Sequence, residues 1–208
     1  MNNLHIFDLE LGDIIGVDEA GRGPLAGPVV AAAVKIREYH EEFDKINDSK
    51  KITEKTRERL FDIIMNYCDV GVGIATVEEI DDINILNGTF LAMRRALKAL
   101  EEKNISLNKV IIDGNHKIRE YEGEQEAIIK GDGKSLSIAA ASIIAKVIRD
   151  RMMLEIAKEY PIYQFEKHKG YGTKLHREIL LEVGPSSVHR KTFLKKILNT
   201  IWNRRKIW

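Results

Sequence analysis

Residues 13–36 read DIIGVDEAGRGPLAGPVVAAAVKI, and this stretch decides the fold. Its two ends, residues 13–18 and 28–36, are rich in Ile, Val and small apolar side chains, a composition that favours buried β-strands. Between them, residues 21–24 read GRGP, which indicates a turn. The stretch therefore predicts two strands joined by a glycine-rich loop, near the start of a chain of 208 residues.

The rest of the chain alternates between helical and strand-like segments. Apolar residues at helical spacing predict helices, and runs of Ile and Val bounded by turn signals predict strands. The expected helices lie at residues 54–67, 87–103, 134–160, 172–183 and 190–203, and the expected further strands at 69–76, 109–113 and 126–130. This order predicts an α/β fold with a mixed five-stranded sheet flanked by helices, in which the antiparallel strands come first.

The composition is typical of a globular protein, and the charge is unevenly distributed. The chain is 44% hydrophobic and 31% charged, and no apolar run reaches the ~18 residues that a spanning helix needs. Residues 1–165 hold 22 basic and 29 acidic residues, whereas residues 166–208 hold 11 basic and 3 acidic ones. This shift predicts two regions, and it indicates either a polyanionic partner or a solubilising basic terminus.

The sequence also bears on location and assembly. Residues 1–5 contain neither the basic nor the apolar segment of a secretory signal, and Cys68 is the one cysteine, so no internal disulfide can form. These features predict a cytoplasmic protein without membrane association. Because no long apolar stripe is left over from the predicted core, we expect a monomer.

Acidic residues stand at the ends of three predicted strands. Asp18 and Glu19 end the first strand, Asp113 ends the strand at 109–113, and Asp132 follows the last strand. One Asp before Gly usually makes only a turn, but three such sites favour a cleft lined by carboxylates. An all-oxygen ligand set favours Mg²⁺ or Mn²⁺ over zinc, and paired ions of this kind hydrolyse phosphodiesters. Neighbouring strand residues point to opposite faces, so Asp18 and Glu19 can share a site only where the strand ends.

Two patterns for binding nucleotide phosphates are incomplete. Residues 131–135 read GDGKS, but Ile128 stands where a P-loop needs its first glycine. Residues 21–26 imitate a dinucleotide-binding fingerprint, yet a strand follows them, where the fingerprint requires a helix. Both nucleotide-dependent functions are therefore excluded.

These motifs together resemble ribonuclease HII over nearly the whole chain, from about residue 13 to residue 193. The resemblance lies in the stretches 16–34, 47–51 (NDSKK), 82–85 (DINI), 92–93 (AM), 112–114 (IDG), 130–132 (KGD), 139–147 (AAASIIAKV), 149–151 (RDR), 160–161 (YP), 168–173 (HKGYGT) and 189–190 (HR). The presence of Arg22, together with an N-terminus too close to Asp18 for a long preceding domain, favours the HII type over the related ribonuclease HIII.

The resemblance implies a fold, an activity and a set of residue roles. It implies a ribonuclease H-like catalytic domain over residues 1–165, with a small, basic helical C-terminal appendage over residues 166–208. The implied enzyme cuts the RNA strand of RNA/DNA hybrids and incises 5′ of single ribonucleotides embedded in duplex DNA, leaving 3′-hydroxyl and 5′-phosphate ends. The implied ligands of Mg²⁺ or Mn²⁺ are Asp18, Glu19, Asp113 and Asp132. The implied substrate contacts are the glycine–arginine–glycine loop, formed by Gly21, Arg22 and Gly23, and the side chain of Tyr171. The resemblance implies that Tyr171 packs on the sugar at the RNA–DNA junction.

Four further residues are candidates for binding the nucleic-acid backbone. Lys50 lies in a polar loop, and Lys169 adds a cation beside Tyr171. Ser142 and Lys146 are four residues apart and so share one helix face. Two of them have a structural alternative, which is a solvated surface side chain for Lys50 and simple packing for Ser142.

Two other functions stay open at this level. A DNA-directed nuclease of the same fold would use the same carboxylates but would not need a 2′-hydroxyl. A nucleic-acid-binding module would use only the basic C-terminal region, with the acids forming turns. Among the four acids, Asp132 is the least secure metal ligand, because Gly133 loosens the loop that carries it.

Overall fold

The structure, a computed structural model, describes residues 2–195, without the side chains of residues 47–51. The strands are β1 (Ile14–Ala20), β2 (Val29–Ile36), β3 (Cys68–Ala75), β4 (Lys109–Asp113) and β5 (Gln125–Ile128). The α-helices bounded within the described residues are α1 (Asn3–Leu11), α2 (Glu54–Tyr67), α3 (Val77–Glu101), α4 (Leu136–Glu159), α5 (Phe165–His168) and α6 (Lys174–Val183). Short 3₁₀ helices lie at Glu41–Lys51, Gly131–Gly133 and Pro161–Tyr163.

The five strands form one mixed sheet in the order β3-β2-β1-β4-β5. The first three strands pair antiparallel, and β1 then pairs parallel with β4, which pairs parallel with β5. The predicted fold class is confirmed, including the position of the antiparallel part at the start of the chain. Because β1 and β4 run in the same direction, their carboxyl ends meet at one edge of the sheet.

Helices cover both faces of the sheet. One face of β2 presents Ala32 and Val34 to a core that includes α2 and α4, and the other presents Ala31 and Ala33 to a core that includes α3. Successive strand residues alternate between faces, so a strand buried on both sides is apolar throughout. This explains why residues 29–34 read VVAAAV without a polar residue.

Helix α4 packs against β1 almost backbone to backbone. A Cβ added to Gly16 would lie 2.2 Å from the carbonyl carbon of Ser137, so only glycine permits this approach. The small residues 139–141 permit this close packing, and all three alanines are fully buried. As a result, one face of α4 runs alongside the carboxyl end of β1.

Helix α3 begins ten residues earlier than the hydrophobic spacing predicts. Thr76 and Glu79 form a reciprocal capping box at its start, and Asn84, with φ of 68°, interrupts it. The Asn84 carboxamide oxygen accepts hydrogen bonds from the backbone N–H of Leu86 and Asn87, which restarts the helix. Sequence reasoning therefore found only the second part of a kinked helix.

The C-terminal elements pack around a cluster of their own. Tyr163, Phe165 and Leu180 are buried there together with Met153 of α4 and Leu25 of the loop after β1. Of the helix expected at 190–203, residues 191–195 are helical and residue 190 is not, and residues 196–203 lie outside the described residues. Over residues 2–195, each helix is too short or too polar to cross a membrane.

Candidate active site

The parallel pairing of β1 and β4 brings two carboxylates side by side. The register pairs Val17 with Ile112, so one further step sets Asp18 opposite Asp113. Both residues lie where their strands approach the same edge of the sheet, and Asp18 is only 6% exposed. Strand ends on a rigid core hold such groups in place before any ligand binds.

Asp18 and Glu19 point to opposite sides of β1, as neighbouring strand residues must. Asp18 faces α4, where it is hydrogen-bonded to Ser142, whereas Glu19 is paired with Arg22 Nη1 at 3.3 Å. Strand β1 ends at Ala20, one residue further on, so the condition for a shared site is met. The two carboxylates are close enough to influence each other's ionisation.

Burial and mutual repulsion govern the ionisation of these acids. Burial raises the pKa of Asp18 well above its usual range, and the charges of Glu19 and Asp113 raise it further. The pKa of Glu19 is also raised, chiefly by burial, against the opposing effect of the Arg22 guanidinium. A site with this electrostatic character gains stability from a bound cation.

Asp113 also anchors the loop that carries Asp132. Its Oδ1 atom accepts a hydrogen bond from the backbone N–H of Gly131 at 2.6 Å and a longer one from that of Asp132 at 3.4 Å. The Gly131 carbonyl in turn accepts from the N–H of Ser135, at the start of α4. Gly133 has open space around it, but the loop on either side is tied to β4 and α4.

The donor set fits a hard divalent cation. Asp18, Glu19 and Asp113 offer carboxylate oxygens that repel one another at the sheet edge, the chemistry that Mg²⁺ and Mn²⁺ prefer. Within the described part of the chain, no three acidic, His or Cys side chains are already arranged around one ion position. Each of the three carboxylates is bonded to protein donors instead, so side-chain rotation is needed to converge on an ion.

The glycine–arginine–glycine loop meets Tyr171 beside these acids. Gly21 is buried with φ of 101°, and a Cβ there would lie 2.2 Å from Arg149 Nε. Arg22 and Gly23 are exposed. A Cβ added to Gly23 would have one neighbour within 4 Å, Tyr171 Cε1 at 4.0 Å. The exposed backbone of the loop and an aromatic ring thus form one continuous surface.

Cations flank the ring of Tyr171, which is 41% exposed. Lys146 Nζ and Arg149 Cζ each lie 5.6 Å from the ring centroid, within range of a cation–π interaction. Lys146 is also paired with Asp150 at 2.7 Å, on the next turn of α4. This arrangement suits a sugar or base packed on the ring with a phosphate beside it.

The remaining predicted substrate contacts either bond to other parts of the protein or lie outside the described residues. Ser142 bonds to Asp18, so it supports a carboxylate as well as lining the site. Lys169 Nζ donates to the Glu166 carbonyl at 2.6 Å, and its own carbonyl accepts from Arg149. The side chain of Lys50 lies outside the described residues.

Three buried histidines contact one another, and one of them, His176, bonds to the backbone of Tyr171. His176 Nδ1 lies 2.9 Å from the Tyr171 carbonyl, and its Nε2 lies 3.1 Å from His189 Nε2. His189 Nδ1 accepts from the Ser186 N–H, so His189 must donate to His176 and both imidazoles are neutral. Burial lowers the pKa of both His176 and His189 to about 4, and His168 stacks on His176 at 4.3 Å.

Sequence reasoning missed several residues around the site. Asn115 and His116 line the cleft between Glu19 and Asp113, and their signal was their position directly after the IDG motif. Arg149 and Arg190 are fully buried and bond to backbone carbonyls. Both belonged to motifs of the resemblance, but a buried arginine is rare and nothing local in the sequence distinguishes it from a surface one.

Comparison with known protein families decides the assignment. The family model described as ribonuclease HII matches residues 15–197. The chain belongs to the ribonuclease HII family.

Known members and relatives of similar fold agree with this placement. The ribonuclease HII of Fusobacterium nucleatum is 66% identical over 201 residues, covering 96% of this chain and 94% of that protein. The crystal structure of ribonuclease H2 from Pyrococcus horikoshii has a TM-score of 0.70 and 29% identity, covering 92% of this chain and 98% of that one. Bst-RNase HIII in complex with Mn²⁺ has a TM-score of 0.73 at 20% identity, covering 96% of this chain and 74% of that one, and so shares the fold.

Membership in the ribonuclease HII family establishes the reaction class. The chain is a hydrolase and an endonuclease that cleaves the RNA strand of RNA/DNA hybrids. The alternative of a module that only binds nucleic acid is therefore set aside.

Proposed function

We propose that this enzyme also incises DNA duplexes on the 5′ side of a single embedded ribonucleotide and leaves 3′-hydroxyl and 5′-phosphate ends. The observation that carries the proposal is the meeting of Gly23 and Tyr171 beside the carboxylates at the sheet edge. The 2′-hydroxyl distinguishes one ribonucleotide from its DNA neighbours. Reading it requires a donor or acceptor within hydrogen-bond distance, and the side chain-free backbone at Gly23 permits that approach.

In this proposal the four acids bind Mg²⁺ or Mn²⁺. When bound, the ions activate water and stabilise the charge of the leaving oxygen. Ser142 keeps Asp18 oriented by a hydrogen bond, and the Gly131 N–H does the same for Asp113. The complex of Bst-RNase HIII with Mn²⁺, a protein of the same fold, supports an ion of this type. The proposed metal ligands are Asp18, Glu19, Asp113 and Asp132.

The proposed substrate contacts lie on one side of the carboxylates. The Tyr171 ring packs against the sugar next to the ribonucleotide, and the Arg22 guanidinium, exposed beside Glu19, binds a phosphate. Lys146 neutralises a further phosphate near the Tyr171 ring. The complete set of proposed contacts is Gly21, Arg22, Gly23, Lys50, Ser142, Lys146, Lys169 and Tyr171.

We also propose how the chain is organised and where it works. Residues 1–165 form the catalytic unit, and the basic residues 166–208 add affinity for the polyanionic duplex. Tyr171 belongs to this second region, so both regions contribute to one substrate surface. The enzyme acts as a monomer in the cytoplasm, where its single, buried cysteine stays reduced.

The decisive experiment uses a labelled DNA duplex with one ribonucleotide, incubated with Mg²⁺, with Mn²⁺ or with EDTA. We expect one cut on the 5′ side of the ribonucleotide with a metal present and none with EDTA. A ligase that requires a 3′-hydroxyl and a 5′-phosphate should reseal the products. A polymerase that requires a 3′-hydroxyl should extend them.

An all-DNA duplex of the same sequence is the control, and an RNA/DNA hybrid confirms that each preparation is active. Cleavage of the hybrid without incision at the single ribonucleotide would refute the proposal. Equal cutting of the all-DNA duplex would point to the DNA-directed alternative.

A further inference from the structure

Arg190 binds the glycine–arginine–glycine loop from beneath. Its side chain is fully buried, and its guanidinium donates five hydrogen bonds of 2.6–3.0 Å to backbone carbonyls. The acceptors are the carbonyls of Gly21, Arg22, Pro24 and Gly27. A single side chain from the C-terminal region thus binds the carbonyls of Gly21 and Arg22 in the loop and two more carbonyls just after it.

These contacts determine the direction of the loop's N–H groups. In a trans peptide the N–H points opposite to the C=O of the same peptide unit. With the Gly21 and Arg22 carbonyls turned toward Arg190, the N–H groups of Arg22 and Gly23 point away from it. Arg190 lies in the buried layer beneath the loop, so the two donors face the exposed side that also carries the Tyr171 ring.

The segment that carries Arg190 is itself fixed on both sides. Asp81 of α3 accepts from the N–H of Lys191 at 2.8 Å and from the N–H and hydroxyl of Thr192 at 3.0 and 2.7 Å. The N–H of Arg190 donates to the Leu25 carbonyl at 2.9 Å. This anchoring leaves the guanidinium little freedom, as positioning another segment requires.

We propose that Arg190 is a positioning residue for ribonucleotide recognition: it holds the loop so that the Arg22 and Gly23 N–H groups meet the ribonucleotide at its 2′-hydroxyl and adjoining phosphate. The inference rests on the proposed function, since it assigns Arg190 to that same site. Arg190 acts through the loop and does not touch the substrate. Its planar set of five donors matches the ring of carbonyls, whereas a lysine has three donors and a point charge.

The test compares Arg190→Met and Arg190→Lys with Leu180→Ala as the matched control. Leu180 is fully buried in the C-terminal cluster, so its truncation destabilises the same region without removing a donor to the loop. The incision rate at saturating enzyme is measured with Mg²⁺ on the single-ribonucleotide duplex. The Kd for an all-DNA duplex is measured separately in EDTA, and all assays run well below each variant's Tm.

We expect Arg190→Met to lower the saturated incision rate by at least about tenfold, the effect of losing one or two oriented hydrogen bonds. Its affinity for all-DNA duplex should stay within about twofold of the wild type, because the basic surface is unchanged. Arg190→Lys should recover part of the rate. Leu180→Ala should lower Tm but keep both the rate and the affinity.

A folded Arg190→Met with the wild-type incision rate would overturn the inference. If Arg190→Met does not fold, the inference is tested with Arg190→Lys and Asp81→Ala. Asp81→Ala releases the segment that carries Arg190, so it should also slow incision. Wild-type rates in both would overturn it. If the wild type cleaves hybrids but not the single-ribonucleotide duplex, the proposed function is refuted, and this inference with it. If the wild type does incise that duplex, an unaffected Arg190 variant refutes only the role of Arg190.

Discussion

Two neighbouring parts of the site are held in place by different means. The carboxylate edge is built on the ends of paired strands, where the ladder pairs Val17 with Ile112 and the next residues are Asp18 and Asp113. The recognition side, formed by Gly23 and Tyr171, has no ladder. Its backbone is held by Arg190 and by the buried histidines, from residues far along the chain. The groups proposed for chemistry therefore depend on the sheet, and the groups proposed for recognition depend on contacts with residues distant in the sequence.

The largest effect should come from removing a carboxylate, which should abolish most cleavage without destabilising the fold. Asp113→Asn keeps the acceptor for the Gly131 N–H but removes a charge that repels Asp18. We expect cleavage of hybrids to fall by about a thousandfold or more, with duplex affinity and Tm unchanged or slightly raised. Single-turnover kinetics and thermal unfolding measure the two effects. Retained cleavage would show that the sheet edge is not the catalytic part.

Alanine at the two loop glycines should give opposite results. Gly21→Ala places a Cβ at positive φ against Arg149, so we expect it to lower the free energy of unfolding by about 1–3 kcal/mol. Gly23→Ala meets only the edge of the Tyr171 ring, at 4.0 Å, and should leave Tm unchanged, but it should slow single-ribonucleotide incision by about tenfold. Thermal unfolding and saturated rates of both variants make the comparison. Unchanged incision in Gly23→Ala would argue against recognition through this backbone.

The recognition side should be sensitive to acid. His176 and His189 are neutral in the folded protein with pKa values of about 4, whereas an unfolded histidine takes up its proton near 6.5. Their contribution to stability is therefore complete above pH 6.5 and is lost as the pH falls toward 4. We expect Tm to fall across this window, and His189→Gln to lower Tm at pH 7.5 while flattening the pH dependence. An equally steep dependence in His189→Gln would locate the acid sensitivity elsewhere.

The smallest effect should come from the cation next to Tyr171. Lys146→Gln removes one phosphate contact, so affinity should fall a few-fold and the slope of log K against log salt should decrease by about one unit. Lys158→Gln, also on α4 and paired with Glu155, is the control and should change neither. Equal slopes for the two variants would remove Lys146 from the substrate surface.

Much of the fold could be predicted, because its signals are local. The strand at 109–113 matches β4 and the helix at 54–67 matches α2, since β-branched runs and a threonine cap mark their limits. The start of α3 could not be predicted from apolar spacing alone. Its first turns depend on the capping box at Thr76, and the kink at Asn84 breaks the repeat.

The candidate site also has a part that could be predicted from the sequence and a part that could not. The placement of the acids at strand ends was predictable, because the apolar runs mark where the strands lie and where they stop. The role of Arg190 was not, since its partners lie 163–169 residues away in the chain. The charge count included Arg190 among the basic residues of the C-terminal region, although its side chain is fully buried. Only the packed structure distinguishes a guanidinium that binds protein carbonyls from one that binds phosphate.

The distance along the chain between Gly21 and Arg190 also sets an order of events during translation. The five strands are complete once residue 128 has been synthesised, and chains emerge at about 5–20 residues per second. The carboxylate edge can therefore assemble on the ribosome seconds before the arginine that fixes the loop exists. For that interval, the nascent chain has the strands that carry its acids but not the arginine that holds the loop.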